Sequence, residues 1–362
     1  MTTGIKDLDL KILSELDDAS LLNFCQTSTY GKKLCENETF WFNRTLQKYG
    51  KVEKNPKRTW KNLYLKLAYY LDKYTESKSV EELAKTGMQN LDLIKIILSF
   101  ITDKETKRIA IGRGGEESAK RGDMELTKFF IKEKTKNKLF DSYDYHWPLL
   151  YAIESGNKEL VYYLVKKSKE LFNVDVALQY AAENNDEELI NFFISEGADN
   201  WDRALNGAAK YGNKDLVDFF IEKGANDWNF ALNGAAEGGH ENLVGFFIEK
   251  GANDWNYGLF GAAIGGHRDL VDFFIEKGAD ELDSAMADAI TSGKPDMGLY
   301  LYSLGKDASV ATGLSSAALV GNKELIDFFI EEGANNWEEA LDNAKYSGYK
   351  NIIRFFENKI KG

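Results

Sequence analysis

The chain has 362 residues, which is long for one compact domain, so we expect several domains or a repeat array. An apolar content of 43% is enough for a sizeable core and too high for a disordered chain. The net charge is −12, and residues 81–362 carry 32 Lys and Arg against 48 Asp and Glu, which disfavours binding of nucleic acid by this larger part. The basic run Lys51–Lys66 is expected to be a solvated linker, with contact to nucleic acid or an acidic partner as the alternative. No apolar run is long enough to span a membrane.

The two cysteines, Cys25 and Cys35, are too few for a disulfide framework, and the N-terminal sequence leads us to expect no signal peptide. With only three histidines beside them, they also leave too few ligands for a zinc site. We therefore expect a soluble intracellular protein of the cytoplasm, with reduced cysteines, no metal and no cofactor.

Residues 1–50 predict three short helices around a small core. Apolar residues recur at helical spacing through the first two of these helices, at Ile5, Leu8, Ile12, Leu13, Leu16, Leu21 and Leu22. A cluster at Phe40, Trp41 and Phe42 closes the third. A unit of this size has little core of its own and usually leans on a partner. Residues 51–80 predict a connecting helix that hides its aromatic side chains against both neighbours.

This N-terminal pattern resembles an F-box, with a leucine-rich first helix and an L-x-D-x-x-x-L junction at Leu16, Asp18 and Leu22. The Phe40-Trp41 pair stands where the motif ends. The resemblance implies that residues 1–50 bind the Skp-type linker of a cullin ubiquitin ligase. The contact residues that it implies are the seven apolar residues of the first two helices, from Ile5 to Leu22.

Residues 81–362 are a tandem repeat. Trp228–Asp254 and Trp255–Glu281 are identical at 18 of 27 positions. A glycine that ends the first half of each unit recurs at Gly87, Gly122, Gly156, Gly212, Gly239, Gly266, Gly293, Gly321 and Gly348, with Asn185 in the one missing place. This series predicts ten units. Each unit predicts two short helices that bury their apolar faces only when stacked, which indicates an α-solenoid.

The unit resembles the ankyrin repeat in its string A-A-x-x-G-H-x-x-L-V, seen at Ala235, Gly239, His240 and Leu243. At about 27 residues it is shorter than the usual repeat of about 33 and lacks the T-P-L-H turn. The resemblance therefore implies helix pairs joined by tight turns, without the β-hairpin fingers. The predicted fold is all-α: an ankyrin-like solenoid of about ten helix pairs behind a small three-helix F-box-like domain.

No catalytic constellation is recognisable, so we do not expect an enzyme. His240 and His267 occupy the same place in adjacent units, where a cap or turn hydrogen bond is the ordinary role. Tryptophans that open four units, among them Trp201 and Trp228, are expected to fill the space between units.

Differences between units indicate a binding face. In the units that begin at Trp201, Trp228 and Trp255, the differences between the first helices concentrate at three positions that fall within an arc of about 60°. Leu205, Ala208 and Ala209 lie on the opposite side and are expected to form the core. We predict a target-binding surface from residues at the variable positions, namely Arg203, Lys210, Phe230, Asn233, Tyr257, Phe260 and Ile264.

These patterns predict a substrate-recognition adaptor of a cullin-type ubiquitin ligase, monomeric outside its complex, whose repeats hold an unknown target protein. No nucleic acid or membrane is expected as a partner. Short ankyrin-like repeats behind an F-box resemble proteins abundant in giant DNA viruses, which implies action in a host cell. The alternative is a plain repeat scaffold whose N-terminal helices cap the array.

Overall fold

A computed structural model describes residues 16–27, 32, 35–52, 54, 56–137, 146–168, 172–305 and 309–361. These residues form 23 α-helices and no β-strand, which confirms the prediction of an all-α solenoid. The N-terminal part contains α1 (Asp18–Thr27), α2 (Glu38–Tyr49) and α3 (Trp60–Lys73).

The remaining helices form ten pairs, which we number as units one to ten. The first five pairs are α4 (Glu76–Ala84) and α5 (Leu91–Phe100), α6 (Lys104–Lys120) and α7 (Met124–Lys136), α8 (His146–Glu154) and α9 (Lys158–Ser168), α10 (Val174–Glu183) and α11 (Glu187–Ser195), α12 (Trp201–Tyr211) and α13 (Lys214–Lys223). The last five are α14 (Trp228–Glu237) and α15 (Glu241–Lys250), α16 (Trp255–Gly265) and α17 (Arg268–Lys277), α18 (Leu282–Thr291) and α19 (Pro295–Leu304), α20 (Val310–Val320) and α21 (Lys323–Glu331), α22 (Trp337–Ser347) and α23 (Lys350–Lys361).

The residue that ends each first helix has a left-handed backbone. All nine glycines of the predicted series have positive φ, and Asn185 is the single non-glycine residue with positive φ (53°) in the described part of the chain. Such a conformation stops a helix and frees the chain to turn. The spacing of these residues therefore located the break in every unit.

The array is held together by apolar residues at matching positions of successive units. Leu205, Ala208 and Ala209 are fully buried, which confirms the predicted core side of the first helix. Each regular second helix adds a fully buried phenylalanine, such as Phe220 and Phe247. Trp201 stacks on Phe220 of the same unit, at 6.5 Å between ring centroids, and packs against the continuous core of the array. Its predicted role between units remains a prediction.

Tight turns replace the missing β-hairpin fingers, and in each turn that follows units five to seven, one side-chain oxygen accepts the backbone hydrogen bonds. The Asn229 side-chain oxygen accepts hydrogen bonds from the backbone N–H groups of Asn253 (2.9 Å) and Asp254 (3.0 Å), in the turn that opens the next unit. Asp202 and Asn256 do the same one unit before and one unit after. The side chain thus satisfies two backbone donors that a hairpin would otherwise pair.

Asn229→Ala should lower the free energy of unfolding by about 1–3 kcal/mol, because two backbone N–H groups lose their acceptor. Asn229→Asp is the matched control, since an aspartate at the same place in unit five makes the same two bonds. Urea unfolding followed by circular dichroism measures both. An alanine variant as stable as the aspartate variant would show that water satisfies these donors equally well.

The N-terminal helices pack through α3. Tyr64 is buried with Leu21, Phe40 and Trp41 in an N-terminal cluster, whereas Leu63 and Leu67 of α3 are buried in the cluster that begins the array. Helix α3 thus lies between the two clusters. The domain boundaries at 50/51 and 80/81 remain predictions, and the second falls inside α4, which packs against α6 as the later first helices pack against one another.

The expectation of reduced cysteines is wrong for this structure. Cys25 and Cys35 form a disulfide, with Cα atoms 5.8 Å apart. The physical reason is local: Cys25 of α1 and Cys35 of the turn before α2 belong to the same buried cluster, and the Trp41 indole N–H fixes that turn by donating to the Cys35 carbonyl at 2.8 Å. A count of cysteines excludes a framework of several bridges, but it cannot exclude one bridge between residues that the fold brings together.

The end of the array returns to its beginning. The backbone N–H of Thr75, just before α4, donates to the carbonyl of Gly348 at 3.1 Å. The neighbouring residues Tyr74 and Tyr349 form an isolated antiparallel bridge, and their rings are 5.6 Å apart. Ten units therefore complete about one turn, so the first helices surround a central space.

Candidate protein-binding surface

The first helices line the central space, and we call their half-exposed side the inner face. Next to the contact between the two ends of the array, this side borders a partly open cavity of about 430 Å³. Five first helices contribute to its lining, among others through Glu81, Arg113, Lys120, Thr291, Leu319 and Tyr346. The inner face is therefore the inside of a turn, not an open groove.

The structure places the predicted apolar target-binding residues on this inner face. Tyr257 is 43% exposed, and Phe230, Phe260 and Ile264 are half-buried. They occupy three positions of α14 and α16, which pack against each other. Phe260 also packs against the array core, so Tyr257 is the most accessible of the four. Their role in binding remains a prediction.

Lys210, predicted as a basic border of the site, is held between two carboxylates. Its ammonium group lies 2.9 Å from Glu183 and 3.0 Å from Glu237, on the neighbouring first helices. Burial lowers the pKa of Lys210, but the two carboxylates outweigh this effect and raise the pKa above its ordinary value. Lys210 thus links three successive units and is already paired.

Side-chain amides connect the first helices in the same way. The Asn206 amide donates to the Phe230 carbonyl at 2.6 Å, and the Asn233 amide donates to the Tyr257 carbonyl at 3.0 Å, each across one unit boundary. Arg203 donates weakly, at 3.4 Å, to the Gln179 side chain. Asn233 therefore has a structural role that the sequence analysis did not assign. The recurrence of asparagine at this position in units five and six was the available signal.

Two exposed aromatic residues of the inner face were missed by the sequence analysis. Trp147, 45% exposed, stands in unit three at the position of Tyr257 in unit seven. Tyr346, 65% exposed, stands in unit ten at the position of Lys210 in unit five. Both positions follow from the glycine spacing, but they lie outside the regular units five to seven, whose differences indicated the binding face.

Three of the seven predicted linker-binding residues, Leu16, Leu21 and Leu22, lie in the described part of the chain. Ile5, Leu8, Ile12 and Leu13 lie outside the described residues. Leu21 is fully buried in the N-terminal cluster, so it is a core residue rather than a contact. Leu16 and Leu22 are half-buried, and Leu22 lines a cleft of about 1280 Å³ between α1, α2, α3 and α23.

Asp18, the central residue of the F-box-like junction, is committed to an internal ionic network. Its carboxylate lies 2.8 Å from Arg44 and 2.6 Å from Lys48, and it accepts a hydrogen bond from the Tyr64 hydroxyl. Burial raises the pKa of Asp18, but the bonds from Lys48, Tyr64 and Arg44 outweigh it and lower the pKa to about 2. The stabilisation is therefore present above the unfolded value of about 4 and is lost as the pH falls towards 2.

The two histidines make turn contacts, as expected from their place in the repeat. The Nε2 atom of His240 lies 3.0 Å from the Lys210 carbonyl, and that of His267 lies 3.0 Å from the Glu237 carbonyl. Each ring thus ties the end of one first helix to the next unit. Among the described residues, no group of three or more His, Cys, Asp or Glu is placed to hold a metal ion.

Comparison with known proteins identifies the repeat. A family model for ankyrin repeats (three copies) matches residues 117–204 and 178–257. No curated protein matches the sequence significantly. The chain therefore contains ankyrin repeats in its central part, and no catalytic family is indicated. None of the helices described here combines the length and apolar character that crossing a bilayer requires.

Proposed function

We propose that the chain is an adaptor that holds a target protein on the inner face of its repeat array. The observation that carries this proposal is the apolar group on α14 and α16, where Tyr257 stays 43% exposed and Phe230, Phe260 and Ile264 stay half-buried. Exposed aromatic side chains that cluster on one face commonly anchor protein partners. Ankyrin repeats, present in residues 117–257, support a role in protein binding.

Tyr257→Ala should weaken capture of the target about tenfold or more, because an aromatic anchor near the centre of an interface commonly contributes at least ~2 kcal/mol. The variant should keep its helix content, since the ring is only half-buried. Quantitative affinity purification from a eukaryotic extract measures the capture. Tyr69→Ala is the matched control, because Tyr69 is a comparably exposed tyrosine of α3, outside the array. Equal capture by both variants would show that the target binds outside units six and seven.

The second part of the proposal is that residues 1–50 dock the Skp-type linker of a cullin ubiquitin ligase, which would bring the captured target to the ligase. The support is the F-box-like sequence pattern together with the half-buried Leu22, which lines a large cleft. A plain scaffold is the competing function, and the internal use of Leu21 and Asp18 favours it.

Leu13→Asp combined with Leu16→Asp should abolish recovery of the linker and the cullin while target capture persists. Two charges in an apolar docking stripe would have to be buried without partners. The control is Leu46→Asp, at a position of α2 that is 43% exposed. Affinity purification read by mass spectrometry measures the recovery. If the double variant recovers as much linker as the unaltered chain, or if the unaltered chain recovers none, the plain scaffold is the function that remains.

A cytoplasmic location, in a host cell, belongs to the same proposal. The disulfide between Cys25 and Cys35 weighs against it, because such bonds are uncommon in reducing compartments. In a reducing cytoplasm we expect this pair to be dithiol, with α1 and α2 held by the remaining N-terminal core.

A further inference from the structure

The contact between the two ends of the array is made by polar groups and aromatic rings. We call it the junction, formed by Leu71, Tyr74 and Thr75 with Gly348, Tyr349 and Lys350. Besides the Thr75–Gly348 hydrogen bond, the Lys350 ammonium donates to the Leu71 carbonyl at 2.6 Å. The Lys78 ammonium, from the first turn of α4, lies 5.1 Å from the centre of the Tyr349 ring.

A second set of contacts reinforces the junction from the inner face. The Arg113 guanidinium of α6 donates to the Tyr346 carbonyl of α22 at 2.6 Å. The same guanidinium lies 4.7 Å from the centre of the Tyr346 ring. These groups are 233 residues apart in sequence, so they meet only because the array completes a turn.

The junction differs from the other unit boundaries because no buried apolar cluster crosses it. One cluster of buried residues runs without a break from Ala119 to Phe356. The buried residues of α4, among them Val80 and Leu83, belong to a separate cluster at the start of the array. Apolar burial supplies most of the stability of a packed boundary. Opening the array at the junction therefore costs less free energy than opening it at another unit boundary.

Closure of the junction brings both ends of the array to the border of one cavity on the inner face. The cavity beside the junction is lined by Lys120 and Arg113 from unit two, by Thr291 from unit eight, and by Tyr346 from unit ten. Residues from both ends of the array thus meet around one space. At about 430 Å³ this space is too small to hold a folded protein while the two ends stay in contact.

We propose that the junction is a clasp, which opens to admit a folded partner to the inner face and closes behind it. This inference rests on the proposed function, since it assumes that the inner face is where the target binds. The opening separates unit ten from α3, α4 and α6 and leaves the continuous core of units three to ten intact. A partner that needs the open form shifts the population towards it.

A disulfide across the junction tests the clasp without the natural target. Tyr74 and Tyr349 face each other in an antiparallel bridge, where Cα atoms are about 4.5–5.5 Å apart, which suits a disulfide. The stapled chain carries Tyr74→Cys with Tyr349→Cys, and its matched control carries serine at both positions. Both also carry Thr291→Cys in the cavity, and mass spectrometry verifies the 74–349 pairing.

Two reagents report access to the cavity thiol: iodoacetamide, and a maleimide carried on a small folded protein. The staple should slow the reaction of the protein-borne maleimide with the cavity thiol about tenfold or more, because only this large reagent needs the open form. The rate of the iodoacetamide reaction should change by less than about twofold. A thiol at Glu249→Cys, on the exposed side of α15, should react equally in both chains. Equal rates for the protein-borne reagent at Thr291→Cys in both chains would overturn the clasp.

An unstapled variant tests the same inference from the other direction. Lys350→Met with Arg113→Met removes two junction hydrogen bonds and should speed reaction of the protein-borne reagent at Thr291→Cys several-fold. An unchanged rate in this variant would also overturn the clasp. The loss of target capture by Tyr257→Ala does not depend on either result, so failure of the clasp and failure of the proposed function can be told apart.

Discussion

Gly234→Ala is expected to lower the free energy of unfolding by about 3 kcal/mol, although it adds a single methyl group. A Cβ atom at Gly234 would lie 2.3 Å from the Asn206 carbonyl oxygen of the preceding first helix. The obstacle is backbone, so α12 and α14 would have to move apart. Gly207 and Gly261 make the same close approach, and this short spacing of the first helices tightens the turn of the array.

The matched control lies one helix away in the same unit. A Cβ atom at Gly245, in α15, would meet nothing within 4 Å. Gly245→Ala should therefore stabilise the protein by about 0.5–1 kcal/mol, since alanine is the better helix former. Urea unfolding of the two variants shows whether the free energy of unfolding changes in opposite directions. If Gly234→Ala were neutral or stabilising, the close packing of first helices would be wrong.

Arg44→Met should destabilise the N-terminal helices by about 3 kcal/mol while the array stays folded. The guanidinium is almost fully buried and bonds three groups: Asp18 at 2.8 Å, the Leu16 carbonyl at 2.6 Å and the Tyr64 hydroxyl at 2.9 Å. Removing it leaves buried acceptors without their donor. Hydrogen exchange should show faster amide exchange in α1 and α2 but not in α12 to α17.

Arg108→Met provides the comparison for an exposed ion pair. Arg108 lies 2.6 Å from Glu105 on the surface of α6, where both side chains are substantially exposed. Its replacement should cost about 0.5 kcal/mol or less. If Arg44→Met cost no more than Arg108→Met, the network around Asp18 would not be what holds α1 and α2 on α3.

The repeat architecture could be predicted because local sequence patterns determine where each helix ends and which side is buried. A left-handed residue ends each first helix, and only glycine and asparagine adopt that backbone readily, so the series from Gly87 to Gly348 located the unit breaks. The core side followed from the spacing of Leu205, Ala208 and Ala209, which the structure confirms as fully buried. Periodicity along one helix determines which side is buried.

Closure of the array could not be predicted, because it depends on the sum of small rotations between units. No local pattern reports that Thr75 lies beside Gly348. The glycines at Gly207, Gly234 and Gly261 are a partial signal, since they bring first helices close together. That signal has meaning only once the neighbouring backbone is known.

The candidate site was predicted in outline and not in its contacts. Variation between units located the inner face, but it did not distinguish the exposed Tyr257 from Asn233 and Lys210, which bind neighbouring first helices. The Cys25–Cys35 bond was missed for the same reason, because pairing depends on how α1 packs on the turn before α2. Long-range contacts between side chains are set by tertiary packing.

The central claim, that the inner face binds the target, is tested most directly by site-specific photocrosslinking in a eukaryotic extract. The full chain carries a photoreactive phenylalanine either at Tyr257, on the inner face, or at Glu249, on the exposed side of α15. We expect the target recovered by the unaltered chain to crosslink from position 257 and not from position 249. Crosslinking of that same target from position 249 alone would contradict the claim.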